Sequence, residues 1–416
     1  MTKSEQIKKS IQQTKEKRKS QVCKIFEIKF DKSHLSKEKR TFLNMLFVEA
    51  KWIYNFQLSQ EDIFKCSDKL KEVEVLNKDK QKEKREIKNL SSQMIQAVVD
   101  RIKQNIINLS KAKKKGNNIG GLKFKSQINS IPLKQFNNTF KIINMNYIKL
   151  QGFKKYFKVI GLKQIKNEYD IANAILIKRN KEYYLKVTCF LSKEEKIKTG
   201  KLVGLDFGIK DSVVDSNGEK YLFQFPETKA IKKFSKKLHK AKLGSNNRYK
   251  QKLKLQKNYE KLTNRKKDCK NKFVSKLVKE NDVICIQDEM IHQWHKSKMK
   301  GFGRRIQFGI SGGIISDLKK KSETVVISRS FPSTQLCPKC GSLNKHGLEL
   351  RIYSCSCGYQ EDRDIHSARN ILNEGLKQIG RESTNKMPFE ENPLFDSFYI
   401  KQDFSMKEEA QPFRVG

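Results

Sequence analysis

The sequence predicts an α+β chain of several domains, and three observations predict it. Alternating apolar and polar residues at 22–30 return in short runs over 120–195, with helical periodicity between the two stretches. Further on, apolar strand-like runs at 202–205 and 282–287 each lead into carboxylates. Four of the nine cysteines then cluster within 337–357. A chain of 416 residues is long enough for two to four domains with at least one well-buried core.

The elements follow in order. Residues 1–20 are rich in Lys, Gln and Ser and are expected to form a flexible basic tail. Val22 to Phe30 has the two-residue period of a half-buried strand and opens a β-domain over 21–36. From 37 to 115 the pattern turns helical. Phe42, Met45, Leu46, Glu49, Trp52 and Ile53 share one helix face, and Met94, Val98, Ile102, Ile106 and Leu109 share another. The β-domain resumes over 116–198, so its order is that of a small β-structure interrupted by a helical insertion. A third region spans 199–330 and contains a basic helical hairpin over 229–280, with 20 Lys/Arg against 3 Asp/Glu. A cysteine knuckle at 331–359, a short closing helix at 360–375 and a polar tail at 376–416 complete the chain.

The charge balance narrows the function. Lys and Arg total 89 against 45 Asp and Glu, a formal net charge of +44. Lysine-rich composition normally comes with matching glutamate; without it the chain repels itself unless a polyanion is bound. Nucleic acid is the expected partner, and the basic hairpin its expected contact, with Arg248, Lys252, Arg265, Lys266 and Lys267 as candidate phosphate ligands. No run approaches the ~18 apolar residues of a membrane helix, and the first twenty residues lack the apolar core of a signal peptide. With cysteines clustered rather than spread as a disulfide framework, a reducing cytoplasm is expected.

Chemistry-bearing residues fall into three groups. Asp206 closes an apolar strand and is followed by Phe207-Gly208; Asp288 and Glu289 follow a second strand; Asp364 lies within Asp362-Arg363-Asp364-Ile365-His366. Each alone is also ordinary turn chemistry. Together they match two-metal hydrolysis, in which Mg²⁺ ions need hard oxygen ligands converging from different elements. Glycines beside Asp206 are read as leaving room for a phosphate. Cys337-Pro338-Lys339-Cys340 and Cys355-Ser356-Cys357 supply four thiolates for a structural Zn²⁺, the second pair one residue tighter than usual. His292 and His295 are spaced i, i+3 but lack a third ligand, so an amphipathic helix is the simpler account. Lys123-Phe124-Lys125-Ser126, beside Gly120-Gly121, joins basic and aromatic groups as a nucleic-acid contact would.

These motifs, in this order, resemble the TnpB family and the miniature type V CRISPR effectors. Gly204-Leu205-Asp206-Phe207-Gly208 resembles their first RuvC motif. The run Phe331 to Cys337, the knuckle, and Asp362 to Asn370 resemble their C-terminal signature, and the likeness extends from about Phe26 to Leu372. The resemblance implies a bilobed protein. One lobe would be a wedge-like β-barrel carrying a helical recognition insertion, the other an RNase H-like (RuvC) nuclease with an inserted zinc ribbon. It implies a guide RNA as cofactor and single- and double-stranded target DNA as substrate, cut beside a short flanking motif. Carried over residue by residue, Asp206, Glu289 and Asp364 become the catalytic acids, with Asp288 the alternative in the middle position. Arg363 would neighbour the scissile phosphate, and His366 stands where many relatives have Asn. One copy, or a homodimer on one guide, is compatible with the residues. A guided DNA-binding protein that does not cut is the rival reading; three acids at the three positions favour cleavage.

Overall fold

The computed structural model describes residues 3–77, 81–193, 197–209, 211–294, 302–345, 347 and 349–383. Two compact units divide the chain, 1–195 and 196–416. Among the described residues no helix is long and apolar enough to cross a membrane.

The first unit begins with α1 (Lys3–Lys19), where a flexible tail is expected from composition. Its Lys, Gln, Glu and Arg are good helix formers, and its end is tied down. Lys17 and Arg18 lie 3.2 and 3.3 Å from Asp170, and the Arg18 guanidinium sits 3.4 Å over the Phe190 ring. β1 (Gln21–Phe30) follows, then α2 (Lys37–Leu58), whose N-terminus is capped by the Ser36 hydroxyl. Phe42, Leu46, Ala50, Ile53 and Tyr54 form its buried face.

A hairpin of β2 (Glu72–Leu76) and β3 (Lys82–Glu86) lies between the two helices of the region read as a helical domain. The alternation Glu72-Val73-Glu74-Val75 was its signal, diluted by the surrounding charges. α3 (Ser92–Lys114) then packs against α2 through Met94, Ile95, Val98 and Ile102. The loop before it is held by Glu49, which is buried on α2. Its carboxylate accepts hydrogen bonds from the amides of Lys88, Asn89 and Leu90 and from the Asn89 side chain. A charge on an apolar helix face is tolerated there because its lone pairs are filled.

The remaining strands are β4 (Ser130–Leu133), β5 (Phe140–Asn144), β6 (Tyr147–Leu150), β7 (Phe157–Ile160), β8 (Asp170–Arg179) and β9 (Glu182–Ser192). With β1 they make a seven-stranded sheet in the order β4-β8-β9-β1-β7-β6-β5. An isolated bridge between Phe136 and Phe140 nearly closes it on itself. The β8–β9 turn uses Asn180 and Lys181 at φ 51° and 65°, the backbone that a two-residue hairpin twisted with its strands requires.

The second unit is built on a five-stranded sheet. β10 (Leu202–Asp206), β11 (Val213–Asp215) and β12 (Lys220–Tyr221) form an antiparallel meander. The chain leaves it through α4 (Lys229–Lys240) and the 35-residue α5 (Asn246–Glu280). β13 (Val283–Gln287) returns parallel to β10. After α6 (Ile291–Trp294), α7 (Phe302–Phe308) and α8 (Ser311–Lys321), β14 (Glu323–Ile327) pairs parallel to β13. The order is β12-β11-β10-β13-β14. β15 (Ile352–Ser354) and β16 (Gln360–Asp362) form a small hairpin that runs directly into α9 (Arg363–Ser383).

α9 lies on this sheet, and two glycines seat it. A Cβ at Gly204 in β10 would stand 2.2 Å from the Ala368 carbonyl oxygen, and one at Gly375 would stand 2.3 Å from Cys285 Sγ in β13. Gly204 is therefore a seat for a helix, not a gap left for a phosphate. Gly375, where the sequence reading ends the closing helix, lies within it, because close packing rather than chain termination selects glycine there. Of the tail read over 376–416, residues 384–416 lie outside the described residues.

Candidate functional site

Three acids reach one place from three elements. Asp206 ends β10, Glu289 stands two residues beyond β13, and Asp364 is in the first turn of α9. β10 and β13 are parallel neighbours, so their carboxyl ends open side by side, the usual location of sites in such sheets. The Asp206 carboxyl is pushed up to about 7, first by burial, then by the negative charges of Asp364 and Glu289; a hydrogen bond from Ser367 and the charge of Arg363 oppose the rise. Glu289 is also pushed above the ordinary carboxylate range by burial, against the pull of Arg329.

The neighbouring Asp288 takes a different course. It lies 2.7 Å from Arg329 Nη2 and 3.6 Å from Lys319 Nζ, and its side chain is 45% exposed. Adjacent residues beyond a strand end point to different sides, and here Glu289 joins the acids while Asp288 is held in ion pairs.

Asp364 is presented by its own helix start. Asp362 Oδ1 accepts from the amides of Asp364 and Ile365, and Lys220 holds the other Asp362 oxygen at 2.6 Å. Arg363 Nε lies 3.7 Å from Asp364 and Arg351 Nη1 3.9 Å from it.

His366 is a correction to the sequence reading. It is fully buried and stacks on Tyr353 at 3.8 Å between ring centroids, 13° from coplanar. Its Nε2 lies 3.1 Å from the Asn370 amide nitrogen. A ring walled in this way braces α9 against the cysteine hairpin and does not reach a phosphate.

A buried polar chain missed in the sequence holds the site together. Ser367 Oγ is 3.0 Å from Ser333 Oγ, which donates to Gln287 Oε1 at 2.9 Å. Gln287 Nε2 is shared among the carbonyls of Ser328, Arg329 and Phe331, while Asn370 bonds the carbonyls of Ser333 and Leu336 at 2.8 Å each. The run Phe331 to Cys337 thus locks the end of β13 to the first turns of α9. Gln287, immediately before the acid pair, and the serines inside both quoted motifs were the available signals.

The four cysteines converge. Their sulfur atoms all lie within 4.8 Å of one another, with Cys337–Cys357 at 3.6 Å and Cys340–Cys355 at 3.5 Å. Zn–S bonds of ~2.3 Å set tetrahedral S···S edges of roughly 3.8 Å, so the donor set fits Zn²⁺. Each knuckle closes on a glycine in the left-handed region, Gly341 at φ 75° and Gly358 at φ 85°. The first returns through a hydrogen bond from the Cys337 amide to the Ser342 carbonyl, the second through one from Cys355 to Tyr359. That one-residue contraction absorbs the Cys-x-Cys spacing. Metal analysis of the purified chain is expected to find one zinc per chain. Cys355→Ser should lose it and lower the melting temperature, because the hairpin that the cysteines hold leads straight into α9. Zinc-free protein with unchanged melting would contradict this.

The predicted nucleic-acid contacts divide. Lys123, Phe124 and Ser126 are exposed, Phe124 by 65%. The Lys125 backbone is pinned by Asn55 through two hydrogen bonds of 2.9 Å, and its ammonium sits 4.2 Å over the Tyr54 ring. Lys252, Arg265 and Lys267 are exposed on α5. Arg248 instead bonds the carbonyls of Leu238 and Ala241 at the end of α4, and Lys266 donates to the Gln307 carbonyl. Those two are ties within the unit rather than free phosphate ligands. The His292 side chain and His295 lie outside the described residues.

Parts of the chain are similar to known proteins. A family model described as a probable transposase, OrfB_IS605, matches residues 176–293, and a Cas12f1-like TNB domain matches 318–371. Asp206 and Glu289 fall in the first, Asp364 and the four cysteines in the second. A "Putative RNA-guided DNA endonuclease" of Streptomyces pristinaespiralis is 34% identical over 183 residues, 42% of this chain and 45% of that one. Over these stretches the chain is similar to proteins of the TnpB and miniature type V effector kind. TnpB-like protein L79 of Acanthamoeba polyphaga mimivirus is 32% identical over 162 residues, 36% of this chain and 31% of that one. The chain spans less than half the length of these curated relatives. The solved Cas12f1–sgRNA–target DNA complex covers 67% of this chain and 71% of its own at 14% identity, with a TM-score of 0.41.

Proposed function

We propose that the chain is an RNA-guided DNA endonuclease of the RuvC, RNase H-like kind, with Asp206, Glu289 and Asp364 as its cutting centre. The observation that carries the reading is that three acids from three elements, the end of β10, the segment after β13 and the first turn of α9, come close enough to act on one another's charge. Like charges gathered in a partly buried place are unfavourable alone and favourable around a cation. Three carboxylates are the hard oxygen donors that Mg²⁺ takes, so the residues fit such an ion. Bound there, it would polarise the phosphate and lower the pKa of an attacking water.

The chain's own groups have separate tasks. The acids would hold the cation, and Ser367, beside Asp206, is fixed by its hydrogen bond to Ser333. Arg363, beside both Asp206 and Asp364, places a positive charge where a phosphate would approach. Water adds to phosphorus as the phosphodiester P–O bond breaks and the leaving oxygen is protonated. The net charge of +44 and the exposed Lys123, Phe124, Lys252, Arg265 and Lys267 support binding of a guide RNA and of a guide–DNA heteroduplex through its backbone.

The test is to co-express the chain with its native flanking DNA and sequence the RNA retained after a high-salt wash. A single RNA with a constant scaffold and a variable end is expected, and DNA matching the variable end should be cut only when Mg²⁺ is present. Heterogeneous RNA, with no cutting of any matched DNA, would overturn the reading.

A further inference from the structure

A cavity lined in part by the residues that follow Asp206 in the chain is not used by the reaction just described. Its volume is about 250 Å³, below the ~300–1,000 Å³ of pockets that hold whole drug-sized ligands and suited to one ring system. Gly208 and Ile209, two and three residues after Asp206, line it together with Trp294, five residues after Glu289. Gln224, Arg305 and Gly312 contribute to the lining from the irregular segment after β12, α7 and the first turn of α8. At Gly312 even an added Cβ would meet only Ile291 Cδ1, at 3.9 Å, so the absence of a side chain there keeps the space open.

We propose that this cavity is a nucleotide subsite that takes the base of a nucleotide flanking the scissile phosphate. The inference rests on the nuclease reading for which strand enters, but not for whether a base binds. Trp294 is partly buried against the core of the unit and also lines the cavity, so the cavity has an aromatic residue in its wall. The Gln224 amide offers both a donor and an acceptor to a base edge, and the Arg305 guanidinium a charge for the adjoining phosphate. Stacking on an aromatic face is tolerant of base identity. That property suits an enzyme in which pairing with a guide, not the cutting site, selects the sequence.

The test uses the full chain with its guide RNA in an Asp364→Ala background, and target DNA carrying one 2-aminopurine moved stepwise along the strand. Quenching is expected at one position and should disappear in Trp294→Ala. In the active background, Trp294→Ala should slow cutting about tenfold with guide binding unchanged, and Trp294→Phe should restore most of the rate. Should Trp294→Ala lower the melting temperature, Trp294→Leu, which keeps apolar packing without the ring, decides by the same quenching. Quenching that persists in the ring-less variant, or no quenching at any position, overturns the subsite. A chain that quenches at one position yet never cuts DNA keeps the subsite and removes the nuclease reading.

Discussion

Asp364→Ala is expected to lower cleavage of guide-matched DNA by at least ~10³-fold, about 4 kcal/mol of barrier, with guide and target binding retained. The reason is its position. Asp364 is one of the two charges that raise Asp206, and it is delivered by a helix start fixed through Asp362 and Lys220. Removing it takes away one oxygen donor and lets the Asp206 carboxyl fall back toward its ordinary range, so any cation would be held by two acids. The companion substitutions make the test specific. Glu289→Gln should be nearly as severe, whereas Asp288→Asn should retain activity within roughly threefold, the range of an exposed ion pair, since Asp288 is engaged by Arg329 and Lys319. Single-turnover cleavage beside filter binding would measure both effects. A deep loss in Asp288→Asn with Glu289→Gln near wild type would reverse the assignment, and an active Asp364→Ala chain would remove the site altogether.

Gly204→Ala should be the most damaging single-methyl change in the second unit. The added Cβ would stand 2.2 Å from the Ala368 carbonyl oxygen and 2.8 Å from the Leu372 amide nitrogen. Both are backbone atoms of α9, so no rotamer change relieves the clash; the helix must move off the sheet. Overpacking of this kind costs about 3 kcal/mol, or roughly 6–12 °C in melting temperature for a unit of this size. Activity should fall as well, because α9 carries Asp364 while β10 carries Asp206. Gly120→Ala is the control, since a Cβ there meets nothing within 4 Å. Calorimetry of the two variants decides it: equal melting temperatures would mean that α9 is not seated as described.

Much of the chemistry was legible before the fold. Four cysteines in two tight pairs, closed by Gly341 and Gly358, state a tetrahedral thiolate site within a few turns of chain, because ligand spacing is a local property. Asp206 and the acid pair were visible because apolar strands that stop at carboxylates are local patterns too. Helix faces on α2 and α3 followed from periodicity, whereas the β2–β3 hairpin was hidden among charges.

What the sequence by itself determined was therefore the inventory: which side chains can bind metal, which segments are apolar on one side, and that a polyanion is needed to balance the charge. Only the tertiary structure decided which members of that inventory meet. It brought Glu289 near Asp206 and paired Asp288 with Arg329 and Lys319, set His366 into a stack with Tyr353, turned Arg248 and Lys266 inward as ties, and made Gly204 and Gly375 the seats of α9. The physical reason is common to all of these. Burial, charge coupling and close packing depend on neighbours brought together from distant parts of the chain, and no spacing along a single stretch encodes them.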